Sequence, residues 1–183
     1  MGSMVELPAS SPGRTPAPAP RSTLPLRLGI LLLTLSLFGC DHATKLAAEQ
    51  HLSNGRALDI VSGVLELRFT TNDDTAFSLF HNFGIPRPPI VLLTASVLAL
   101  LAVVAMWIAM RKRATYTQHA GFALVLAGAL GNVVDRAMRG SVVDFIHVTH
   151  WPIFNVADIA VVGGVCALGL SALIQRSAPA APP

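Results

Sequence analysis

Charge is what this chain has least of. Only 13% of its 183 residues are charged, with ten Asp and Glu in all and two lysines, Lys45 and Lys112. Aromatic residues make up 6%, and there are two cysteines, Cys40 and Cys166. A soluble domain carries about a quarter charged residues, so this scarcity excludes an ordinary solvated surface. Two cysteines exclude a disulfide framework. Both stand among apolar neighbours where a thiol packs as a small hydrophobe, although a single bridge stays open. The formal charge of +3 implies no nucleic-acid partner, because the basic residues form short clusters beside apolar runs. What abounds is hydrophobic sequence, 52% of residues, with a mean hydropathy of +0.59. These values indicate an α-helical integral membrane protein, one compact bundle at this length.

The first residues, Met1 to Ser3 and a second Met at position 4, read as an expression scar. Pro8 to Pro25 holds six prolines among Ala, Ser and Thr, a composition that cannot build a core, so residues 1–25 are expected to be a disordered cytoplasmic tail. Leu28 to Gly39 has the length of a signal-peptide core, and Leu37-Phe38-Gly39-Cys40 is similar to a lipidation signal. The rest of the chain decides against that reading, since a lipoprotein is soluble beyond its cysteine and here three more membrane-length runs follow. The apolar sequence from about 26 to 48 therefore reads as the first transmembrane span. Asp41 and Lys45, spaced by four, close it and can pair on one face at the interface; a snorkelling helix end and a polar role toward substrate or headgroups both stay open.

From about 52 to 87 the period changes. Leu65, Leu67 and Phe69 alternate with Glu66 and Arg68, and Ser62-Gly63 supplies a turn after Leu58 to Val61, which predicts a small β-hairpin. Asn72-Asp73-Asp74 predicts a further turn before the apolar patch Ala76 to Phe80. A hairpin alone is marginal, so helix ends or the bilayer must support it. The second span, about 89–110, contains twenty-one residues from Ile90 to Met110 without a charge and stops at Arg111-Lys112-Arg113. That triplet places the connection after it in the cytoplasm. The third span covers about 118–138, with Gly121, Gly128 and Gly131 suited to close helix contact, and the fourth covers about 153–175. Residues 176–183 form a cytoplasmic tail. With four spans both termini are cytoplasmic, and Asp41, Asp135, Asp144, Asp158 and the hairpin share the outer side.

Three aspartates thus compete for attention between Gly131 and Asp158, in GNVVDRAMRGSVVDFIHVTHWPIFNVAD. Asn132 precedes Asp135 by three residues and Asn155 precedes Asp158 by three, so each carboxylate can have an amide one turn away. Asp158 is expected five residues into the fourth span, roughly 7 to 8 Å along the axis at about 1.5 Å per residue. Asp144 is flanked by Val142, Val143, Phe145 and Ile146 in a short segment held near the membrane. Two close, desolvated carboxylates share one proton, and such a pair performs aspartic-protease chemistry without a metal or a covalent intermediate. Asp135 can instead be held ionised by the adjacent Arg136.

The boxes Asp41-His42-Ala43-Thr44-Lys45, Asn72 through Ala76-Phe77-Ser78, Gly131-Asn132-Val133-Val134-Asp135-Arg136, Val142-Val143-Asp144-Phe145 and Phe154-Asn155-Val156-Ala157-Asp158 together resemble lipoprotein signal peptidase, the signal peptidase II family of bacterial aspartic proteases. The resemblance covers about Leu26 to Ile174. It implies four transmembrane helices with a β-cradle on the outer leaflet of the inner membrane, Asp144 and Asp158 as the catalytic pair, and cleavage on the amino side of a diacylglyceryl-modified cysteine. Asp41, Lys45, Asn72, Asn132, Asp135, Arg136 and Asn155 are then expected to bind substrate or support the site. The implied partners are diacylglyceryl-modified prolipoproteins and membrane phospholipid, with no cofactor and no metal, and the chain is expected to act as a monomer. Asp74 and Thr75 stand where the family usually has Gly and Ala.

Other chemistries fit less well. No His-Glu-x-x-His occurs. His147 and His150 follow Asp144 at spacings of three but read as an outward interfacial loop beside Trp151-Pro152. Gly169-Leu170-Ser171 is similar to the rhomboid serine motif yet falls near the cytoplasmic end, and Lys45 has no obvious Ser partner for a Ser/Lys dyad. A non-enzymatic carrier or proton-conducting bundle remains as the alternative, and it requires polar residues spread through the membrane depth.

Overall fold

The computed structural model describes residues 24–73 and 88–177. The expectations for the tail up to residue 23, for the patch Ala76 to Phe80, for Asp74 and Thr75, and for the end beyond 177 lie outside these residues. Among the described residues four helices form the frame: α1 (Leu24–Leu52), α2 (Pro89–Met110), α3 (Tyr116–Arg139) and α4 (Val156–Ser177). All four are long and apolar enough to cross a membrane. Leucines 28, 31, 32 and 35 on α1 and Leu98 and Leu101 on α2 are exposed, as a lipid-facing surface requires. Cys40 and Cys166 are free and exposed; they neither bridge nor pack inside.

Helix α3 is the centre of the bundle and touches each of the other three. Thr115 starts it with a capping box, its hydroxyl accepting from the Gln118 amide while the Gln118 side chain accepts from the Thr115 amide. Gly140 ends it at φ 77°, a left-handed cap that a side chain would strain. The expected close packing of small residues is present. A Cβ on Gly128 would collide with the Ala157 carbonyl oxygen, and one on Gly164 would lie 2.6 Å from the Gly121 carbonyl oxygen. Gly128→Ala is therefore expected to lower stability by about 3 kcal/mol, because the obstacle is α4 backbone rather than a mobile side chain. Thermal unfolding in detergent checks this, and an unchanged midpoint would contradict the packing.

The hairpin is real but has a third strand. β1 (Ala57–Val61), β2 (Leu65–Asn72) and β3 (Val142–Val148) form an antiparallel sheet in the order β1-β2-β3. Gly63 makes the β1–β2 turn at φ 72°. β3 is the segment read from sequence as a short apolar stretch; Val142, Val143, Phe145, Ile146 and Val148 give it strand character. His147 accordingly stands in a strand, 2.8 Å from Glu66, rather than in an outward loop. The register sets Thr70 opposite Asp144 and Asn72 opposite Val142. Leu67 and Phe69 pack with Phe145 on Ala48 and Leu52 at the end of α1, which answers how so small a sheet is held.

Two helix boundaries differ from expectation. α1 does not close at Lys45 but continues to Leu52, because Leu46, Ala47, Ala48 and Glu49 are good helix formers and Ala48 and Leu52 gain the Phe145 contact. α4 begins at Val156 rather than near 153. Phe154 is committed to a bridge with Ile146, and Asn155 caps the helix.

Candidate active site

Asp158 lies in the first turn of α4, not five residues into a span. Its backbone amide donates to Asn155 Oδ1 at 3.0 Å, and its carboxylate Oδ2 accepts from the Asn155 amide at 3.2 Å. This is a reciprocal cap built from Asn and Asp, and it places a carboxylate where the helix dipole favours negative charge. The Asp158 Oδ1 accepts from Asn132 Nδ2 at 2.9 Å, so α3 holds the other side of the group.

Asp144 reaches the same place from β3 and is 2% exposed. Its Oδ1 accepts from Asn155 Nδ2 at 2.7 Å and its Oδ2 from Asn72 Nδ2 at 2.8 Å. Asn155, fully buried, thus donates to one carboxylate while capping the helix turn that carries the other. Every oxygen of Asp144 and Asp158 has an amide donor. Burial pushes the Asp144 carboxyl up, from 3.8 to about 6; the Asn72 hydrogen bond opposes this, the Asp158 charge adds to it, and Asn155 and Lys45 oppose it. Asn72→Leu removes a donor that favours the ionised form, so the Asp144 carboxyl is expected to titrate above 6. A carboxyl ¹³C titration checks the direction, and a downward or absent shift would contradict the assignment.

Behind this pair lies a second group of buried charges. Lys45 is 0% exposed, which overturns the snorkelling reading. Its ammonium lies 2.8 Å from Asp41, 2.9 Å from Asp135 and 3.1 Å from Asn132 Oδ1. Asp41 Oδ1 also accepts from the Ala157 amide at 2.9 Å, so a carboxylate of α1 satisfies a first-turn donor of α4. Gly131 permits that approach, since a Cβ there would lie 2.5 Å from Asp41 Oδ2. Asp135 Oδ2 accepts from the Val143 amide at 3.3 Å and thereby anchors β3 one residue before Asp144.

Asp135 is held by Lys45, whose ammonium it meets directly. Arg136 acts electrostatically on Asp144, Asp158 and Asp135. The structure therefore brings all nine expected residues to one end of the bundle, and hydrogen bonds and ion pairs connect Asp41, Lys45, Asn72, Asn132, Asp135, Asp144, Asn155 and Asp158. Sequence reading missed Arg139 and Glu49, 2.7 Å apart, with Arg139 Nε also 4.0 Å from Asp135. The spacing of four between Asp135 and Arg139 was the available signal. Ser171 and Thr115 lie 3.4 Å apart with Gln118 nearby at the far end, so a small polar set exists there too. It serves the α3 cap, and the rhomboid-like serine is part of it.

A family profile described as "Signal peptidase (SPase) II" matches residues 33–174. The chain belongs to the signal peptidase II family. Members similar to it include the lipoprotein signal peptidase of Geobacter metallireducens, 35% identical over 136 residues, which are 71% of this chain and 81% of that protein. The lipoprotein signal peptidase of Mycobacterium bovis is 34% identical over 169 residues, 87% of this chain and 77% of that one. A solved structure of a bacterial membrane enzyme, determined in meso at 2.3 Å, superposes with a TM-score of 0.71 at 26% identity, covering 81% of this chain and 90% of that one. As a member of this family the chain is a membrane-embedded peptidase.

Proposed function

We propose that this protein removes signal peptides from diacylglyceryl-modified prolipoproteins, cutting on the amino side of the lipidated cysteine, with Asp144 and Asp158 as the catalytic pair. The observation that supports this best is the bridging by Asn155, which donates to Asp144 at 2.7 Å and caps Asp158 at 3.0 Å. A shared amide of this kind fixes two carboxylates on different elements relative to each other, as a proton-sharing pair needs.

In this reading Asp144, raised to about 6, carries the shared proton and Asp158 is the ionised base. Water attacks the scissile carbonyl carbon and gives a proton to Asp158, while Asp144 gives its proton to the carbonyl oxygen. The resulting tetrahedral species returns that proton to Asp144. Asp158 then passes its proton to the cysteine nitrogen as the C–N bond breaks, which restores the starting protonation. Asn72, Asn132 and Asn155 keep the carboxylates oriented, and Arg136 offers positive charge to the site. Asp41, Lys45 and Asp135 hold the ends of α1, α3, α4 and β3 together.

The site end faces the periplasm and both termini the cytoplasm in this arrangement, because Arg111-Lys112-Arg113 stand at the opposite end of the inner-membrane bundle. Substrate enters from the lipid phase, its acyl chains staying with phospholipid in the outer leaflet, and the monomer suffices. A carrier needs a polar route through the membrane depth, whereas among the described residues the buried Asp and Lys side chains sit at one end. Reconstituted protein should cut a lipid-modified precursor and leave the same precursor with Ser in place of the modified Cys intact. Equal cleavage of both, or of neither, would overturn the substrate assignment.

A further inference from the structure

Lys45 has three N–H donors and no acceptor, and all three are engaged: Asp41 at 2.8 Å, Asp135 at 2.9 Å and Asn132 Oδ1 at 3.1 Å. The atom of Asn132 that faces this ammonium must therefore be oxygen. The amide nitrogen is then forced to the other side of the fork, where it lies 2.9 Å from Asp158 Oδ1. Turned over, Asn132 would set its NH₂ against an ammonium and its carbonyl oxygen against a carboxylate.

We propose that Lys45 is a positioning residue that holds the Asn132 amide in the single orientation able to donate to Asp158. This rests on the reading of Asp144 and Asp158 as the catalytic pair. Asn155 Nδ2 also reaches Asn132 Oδ1, at 3.2 Å, but its two protons are divided among that oxygen, Asp144 Oδ1 at 2.7 Å and the Val143 carbonyl at 3.3 Å. Asn155 alone is a weak lock, and the charge-assisted bond from Lys45 is the stronger one. Asp41 and Asp135 make the ammonium tolerable at 0% exposure by compensating its charge. An arginine would present a planar fork to three acceptors arranged around a tetrahedral nitrogen, so it is a poor replacement.

The test is a double-mutant cycle on the reconstituted full chain with a lipid-modified precursor. Lys45→Met should lower kcat by about 10- to 100-fold with KM unchanged, since Lys45 acts through Asn132 and not on substrate. In an Asn132→Ala background the same substitution should change kcat by no more than about twofold, because the route is already cut. A similar loss in both backgrounds would overturn the proposal and leave Lys45 a purely structural anchor. Lys45→Met strands two buried carboxylates and can prevent folding. Lys45→Met/Asp135→Asn, compared with Asp135→Asn alone, removes one charge of each sign and runs through the same cycle with the same two outcomes. Asp144→Asn and Asp158→Asn are assayed alongside. Wild-type turnover by either sinks the catalytic pair itself, and the Lys45 proposal with it. Dead aspartate variants with a background-independent Lys45 effect sink only the proposal about Lys45.

Discussion

Asp144→Asn and Asp158→Asn are each expected to lower kcat by about 10³- to 10⁴-fold while the precursor still binds. The two groups act as a unit, so the double variant should be no worse than the poorer single one. Independent, multiplying losses would mean that the carboxylates do not share a step. Asp144 also carries a pH signature in stability. Its carboxyl titrates near 3.8 when unfolded and about 6 when folded. Between those values the native state keeps a proton that the unfolded chain has lost, so stability falls as pH rises from about 4 to 6. It is level below and above that window. The total is on the order of 3 kcal/mol. Asp144→Asn should lack this slope, which melting midpoints across pH 4 to 7 would show; an identical slope in the variant would place the titration elsewhere.

Asn155→Ala is expected to be the most damaging change outside the pair. It removes a cap from α4, costing about 1 kcal/mol, and leaves buried polar groups at Asp144 and Val143 without their donor, costing about 1 to 3 kcal/mol more. Activity should fall by about 10²- to 10³-fold, the scale of losing one fixed donor in a desolvated site. Asn155→Ser separates the two effects, because serine can cap the helix but cannot also reach Asp144. Its melting midpoint should recover toward the wild type while its kcat stays low. Recovery of both would show that the bridge between the carboxylates is dispensable.

Much of the frame was legible because charge is so scarce. Uncharged runs and the Arg111-Lys112-Arg113 triplet located the spans and the end that carries the aspartates, but the side-chain amides expected to hold Asp135 and Asp158 donate elsewhere, Asn132 to Asp158 and Asn155 to Asp144. What escaped depended on distant partners. Lys45 finds Asp135 and Asn132 some ninety residues along the chain, whereas sequence displays only Asp41, four residues before it. β3 finds β2 across a similar separation, so its apolar run reads in sequence only as a short segment held near the membrane. The expected depth of Asp158 assumed that apolar sequence begins a helix, but the Asn155 cap and the Phe154 bridge decide where α4 starts. Asp158 therefore occupies a helix N-terminus, where hydrogen bonds and the dipole favour a partly buried carboxylate.

The most direct measurement is the intact mass of the lipid-bearing product from one reconstituted assay run with the wild type, Asp144→Asn and Asp158→Asn. The wild type should yield a single product beginning at the diacylglyceryl-modified cysteine with a free amino group, and both variants should leave the precursor whole. A cut at any other bond, or that same product from either variant, would contradict the account.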